Sequence, residues 1–170
     1  EKSRVMFEGA KQKAEKLPEE LGGDLISAIT PKLNKLDYLK HLDLGKKYFY
    51  TNDWESAIKQ YEKALRLQNQ SEEGIQSQEK ASLYANMAEA ELYAIINSAK
   101  DSFSQSKLEI AISQYENAIR LLKDKKDSLG RINPTEIEQQ LKRIILRTRI
   151  VQFKQLADQQ LGEEDFATAI

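Results

Sequence analysis

Ala57-Ile58-Lys59-Gln60-Tyr61-Glu62-Lys63-Ala64-Leu65-Arg66-Leu67 recurs as Ala111-Ile112-Ser113-Gln114-Tyr115-Glu116-Asn117-Ala118-Ile119-Arg120-Leu121, identical at eight of eleven positions. A match of that length within one chain marks a repeat, and a repeat too short to bury its own apolar face implies neighbours stacked against it. In both copies the apolar residues return every three or four positions, the period of a helix with one buried side.

The same period runs outward in both directions, and no stretch alternates as a strand does. The chain is therefore read as all-α. Only 7 glycines and 3 prolines occur, and they fall between periodic segments. Pro18 with Gly22-Gly23 is expected to end a first helix carrying Phe7, Ala10, Ala14 and Leu17. Thr30-Pro31 reads as a cap with proline in the first turn of a helix reaching about Tyr50. Asn52-Asp53 makes a tight turn, and Asn133-Pro134-Thr135-Glu136 opens a long helix reaching about Leu161. Gln68 to Gln78 and Lys123 to Arg131 read as linkers, the second a solvated charge run.

Composition narrows the function classes. The 170 residues are 40% hydrophobic and 31% charged, the balance of a chain that folds in water. Lys plus Arg number 26 against 27 for Asp plus Glu, so no long-range field draws the chain to nucleic acid. The absence of cysteine excludes disulfides, thiolate metal sites and cysteine nucleophiles. No apolar run reaches the ~18 residues of a membrane span. Compartment stays open, with the cytoplasm as the default.

The residues around the repeat resemble the tetratricopeptide repeat, a helical hairpin of 34 residues. Leu44-Gly45 with Tyr48 is similar to the family's first-helix segment, Asn52-Asp53-Trp54 to its turn and aromatic, and Ala57, Tyr61 and Ala64 to its second helix. In the second copy Asn86-Met87-Ala88 stands for the first helix and Leu108, Ala111, Tyr115 and Ala118 for the second. The interval is eleven residues longer there, counting Gly45 to Ala57 against Ala88 to Ala111. Extra helical turns shared by both arms, or a loop around Asn97 to Ser106, would absorb it. A third copy begins at Phe153, with Leu156-Ala157 in the small-residue place and Asp165-Phe166 opening a helix that Ala169-Ile170 continues. Because repeat stacks need capped ends, the natural protein is expected to continue with more repeats.

The resemblance implies an α-α superhelical solenoid. A helical extension over residues 1–37 would pack on repeats spanning 38–170: 38–71, 81–125 with an extended hairpin, and an incomplete third at 150–170. It also implies a protein-interaction adaptor without catalysis or cofactor, taking a partner peptide or helix in a concave groove lined by the first helix of each unit. The groove residues are Lys46, Phe49 and Tyr50, then Asn86, Glu89 and Tyr93, then Lys154 and Asp158. Leu39, Leu42 and Leu92 fall on the same helices, where packing against the N-terminal segment competes with a groove role. The family's clamp for acidic chaperone tails is not expected, since Asn86 alone matches while Leu42, Lys46, Val151 and Gln155 hold the other four places. His41, the only histidine, reads as packing, because a metal would need further ligands. The rival readings are a self-associating scaffold, with a homo-oligomer, and the non-catalytic arm of a larger, membrane-anchored protein.

Overall fold

A computed structural model of the chain describes residues 2–69, 77–129 and 132–168, the side chains of 69, 77 and 162–168 excepted. The described residues form six α-helices and no strand: α1 (Lys2–Ala14), α2 (Glu19–Tyr50), α3 (Trp54–Asn69), α4 (Ser77–Ser104), α5 (Leu108–Asp124) and α6 (Pro134–Thr168). A 3-10 turn, Lys126–Ser128, follows α5. The chain divides into two compact units, Glu1–Ala90 and Glu91–Ile170, with the boundary inside α4. The division expected near residue 37 instead lies within the continuous α2.

Two expected helix breaks do not occur. α2 starts directly after Pro18, with Glu19 and Glu20 in the first turn where the helix dipole favours acids. It then runs without interruption through Gly22-Gly23 and Pro31. Gly22 is buried at the corner, and a Cβ there would stand 2.5 Å from the Ala14 carbonyl oxygen, so its role is close approach rather than helix termination. Pro31 removes one intrahelical donor, a cost of about 3 kcal/mol in a helix interior. Thr30 does not cap a helix start; its Oγ1 donates back to the Ile26 carbonyl at 2.8 Å. Burial of Ile29, Tyr38 and Gly45 along one helix outweighs these local penalties. α1 is held to α2 by an Arg4–Asp37 ion pair and by the Lys32 ammonium 5.7 Å above the Phe7 ring.

The repeat is structural as well as sequential, and its period is 54 residues. At the α2–α3 turn Asn52 N–H donates to Phe49 O at 3.1 Å, Asp53 N–H to Tyr48 O at 3.0 Å and Ala57 N–H to Asp53 O at 3.0 Å. At the α4–α5 turn Ser106 N–H donates to Phe103 O at 3.0 Å, Lys107 N–H to Ser102 O at 2.9 Å and Ala111 N–H to Lys107 O at 3.0 Å. Among the described residues, Asn52 and Ser106 are the two non-glycine residues of positive φ, at 61° and 58°. The residue corresponding to Gly45 is therefore Ala99, not Ala88, and Tyr38 corresponds to Leu92. Both hairpins have a three-residue turn, so the eleven extra residues are neither a projecting loop nor length shared by two arms. They are part of a long first arm: α2 has 32 residues and α4 has 28, against 16 and 17 for α3 and α5.

Burial follows this period. Tyr38, Ala57, Tyr61 and Ala64 build the first unit's core together with Leu83 and Ala90. Leu92, Ala111, Tyr115 and Ala118 are the buried counterparts in the second unit, beside Leu122, Leu141 and Ile145. α6 opens as the sequence predicts, with Glu136 N–H donating to Asn133 Oδ1 at 3.3 Å. It does not stop near Leu161, and no turn opens at 162–165; the helix continues to Thr168. One glycine costs a helix about 1 kcal/mol, too little to end a run of good helix formers. The proposed continuation at Ala169-Ile170, like the linker at 70–76, lies outside the described residues.

The two turns predict different responses to glycine. The left-handed conformation penalises serine more than asparagine, whose side chain tolerates it. Ser106→Gly is expected to raise stability by about 0.5 kcal/mol, the relief of strain less the added chain entropy of glycine. Asn52→Gly should change it by less, and paired urea titrations compare the two.

Candidate functional site

The expected groove residues divide between the units. In the first, Lys46 is exposed near the end of α2, and Tyr50 is 78% exposed. Phe49 is half-buried, its ring edge-on to Trp54 at 5.0 Å and to Tyr50 at 6.1 Å, so the aromatic end of α2 is braced by the first residue of α3. Asn86 and Glu89 are 2% and 3% exposed, which withdraws both from any surface a partner could touch. In the second unit Tyr93 is half-buried, while Lys154 and Asp158 are exposed on α6.

Asn86 is buried in the first unit, as is Tyr38 of its hydrophobic core. The Asn86 Nδ2 and the Tyr38 hydroxyl have no hydrogen-bond partner among the described residues. Burial, aided by the Glu79 carboxylate, holds the Tyr38 phenol above its ordinary range, so it stays neutral and acts as a filling ring. His41 is equally committed, its Nδ1 lying 2.7 Å from Gln60 Oε1 between α2 and α3.

Among the described residues, each unit offers an accessible groove. In the first unit Arg4, Val5, Glu8, Leu36 and Lys40 line a groove of about 600 Å³ between α1 and α2. Its Arg4 guanidinium is already engaged by Glu8 and Asp37, which raise its pKa, so the strongest donor there is taken.

The second unit offers a groove of about 310 Å³ with a different lining. The turn and first residues of α5, Ser106 to Ile110, form one wall, and Gln152, Gln155, Leu156 and Gln159 of α6 form the other. The walls are fixed by an ion pair from Arg149 to Glu116 at 3.0 Å and by Gln152 Nε2 donating to Glu109 Oε1 at 3.2 Å. Ile110 and Leu156 stay about half exposed, at 50% and 48%, so the groove holds apolar surface with neutral amides along one edge. The sequence reading named only Gln155 of α6 there, among first-helix surface residues. The available signal was Gln152, Gln155 and Gln159, whose spacing of three and four sets the amides along one side of a helix.

The chain matches no protein-family model, no curated protein and no solved structure.

Proposed function

We propose that the chain is a protein-interaction module of tetratricopeptide type, a binding protein rather than an enzyme, and that the α5–α6 groove of the second unit takes an extended peptide. What supports the reading most is the pairing in that groove of half-exposed Ile110 and Leu156 with the amides of Gln152, Gln155 and Gln159. An apolar side chain can fill the space between the walls, while amides both donate to and accept from a peptide backbone. The groove volume is at the small end for ligand sites, which fits one or two anchoring side chains. The recurrence of a helical hairpin supports the assignment to a repeat class whose rigid helices present binding surfaces, with a 54-residue period in place of the family's 34.

The 78% exposed Tyr50, braced through Phe49, favours a second site of the same kind at the end of α2. Selection from a displayed peptide library tests both. The enriched peptides are expected to share one apolar anchor. Ile110→Asp and Leu156→Asp should each weaken them by about tenfold or more, the loss of one well-packed contact. Tyr50→Ala should leave them unchanged. The reverse pattern would move the site to α2, and a library yielding no binder would remove the interaction reading.

A further inference from the structure

α6 carries apolar residues on two opposite sides. Leu141, Ile145 and Thr148 are 2%, 8% and 1% exposed, within the second unit's core. Leu146, Ile150, Phe153 and Leu161 are 61%, 59%, 67% and 63% exposed. With Ala157, these follow one another at four, three, four and four residues. At ~100° per residue they form a continuous stripe centred about 180° from Thr148. Such spacing is the seam of a helix pair, and scattered exposed leucines do not produce it.

The charges of the same helix are segregated. From 142 to 154 the sequence carries Lys142, Arg143, Arg147, Arg149 and Lys154 and no acid; from 155 to 168 it carries Asp158, Glu163, Glu164 and Asp165 and no cation. Beyond Glu136 and Glu138 at its start, α6 thus runs from a basic stretch into an acidic one, the order that the helix dipole disfavours. A second helix laid antiparallel corrects both features, since it sets a basic half against each acidic half and opposes the two dipoles. A parallel one sets like against like.

We infer that this outer stripe of α6 is a self-association surface, occupied by the same stripe of a second copy running antiparallel. A twofold axis beside Phe153 and Lys154 brings Leu146 against Leu161 of the second copy and Ile150 against its Ala157. It also faces the run 142–154 with the run 155–168 twice over. The contact is thus self-complementary, as a closed dimer requires. Charge selects this occupant: a stripe of one sign would call for an oppositely charged partner, whereas a basic run followed by an acidic one is complementary to itself reversed, with Arg143, Arg147 and Lys154 as its cations besides Lys142 and Arg149, which pair with Glu138 and Glu116 of their own chain.

Sedimentation velocity across the micromolar range is expected to show the mass rising from one chain to two with concentration. Ile150→Asp with Phe153→Asp should weaken association by at least about tenfold. Both positions are exposed, and circular dichroism checks that the helix persists. Arg143→Glu with Arg147→Glu, and separately Asp158→Lys with Glu164→Lys, should each stay monomeric alone and associate when mixed. The chain has no cysteine of its own, so single cysteines report direction: Lys154→Cys beside the axis should form a disulfide-linked dimer under mild oxidation, and Arg143→Cys should not. A monomer at every concentration overturns the inference, as it would if a following helix of the same chain covered the stripe. Cross-linking through both cysteines, or no association between the reversed variants, overturns the antiparallel arrangement.

Discussion

Tyr61→Ala is expected to lower the stability of the first unit by about 3–5 kcal/mol, the range for removing a buried aromatic side chain from a core. Tyr61 is 1% exposed and lies in the same cluster as Tyr38, Ala57, Ala64, Leu83 and Ala90. A Cβ built on Gly45 would stand 2.5 Å from its ring, so the ring fills space that α2 leaves by having no side chain there. The pair is consequently coupled. In the wild type Gly45→Ala gains about 1 kcal/mol of helix propensity but displaces a ring that has little room to move, for a net loss of about 1–2 kcal/mol. In a Tyr61→Leu background the obstacle is gone, and the same change should be neutral or stabilising. A double-mutant cycle by chemical denaturation measures the coupling, and additive effects would refute the interlock. Ala99, at the corresponding place beside the second hairpin, shows how little the position admits: a methyl group, fully buried.

The sequence was readable where the signal is local. The Asn52-Asp53 turn, the opening of α6 after Asn133 and the second-helix alanines each depend on a few neighbouring residues, and each stands where the residues place it. It was less readable where tertiary burial overrides local preference. Pro31 and Gly22-Gly23 are breakers by propensity, yet α2 passes through all three because Ile29 and Tyr38, on either side of Pro31, are buried on the same helix. The candidate site suffered most. Lys46, Phe49 and Tyr50 remain at an accessible end of α2, but Asn86 and Glu89 are interior, and the α5–α6 groove depends on residues distant in sequence whose approach no helical period reveals.

Much of that displacement comes from one misplaced register, and Leu92 measures it. Aligning Ala88 with Gly45 shifts α4 by 43 residues against α2 and sets Leu92 over the half-buried Phe49, a candidate surface position. The matched turns shift it by 54 and set Leu92 over Tyr38, which is 3% exposed in the first unit's core. Leu92 itself is 0% exposed. Leu92→Ala should therefore cost about 2–5 kcal/mol, the range for emptying a buried leucine site, with the value set by how far its neighbours collapse. Leu39→Ala, on the first arm at a residue 43% exposed, should stay within about 0.5 kcal/mol. Urea midpoints of the two variants, compared at equal m-values, decide between the registers. Equal small losses would return Leu92 to the surface and restore the shorter period. A large loss confined to Leu92 ties α4 to the core along the 54-residue repeat and leaves its accessible chemistry to residues such as Tyr93, one position further round the helix.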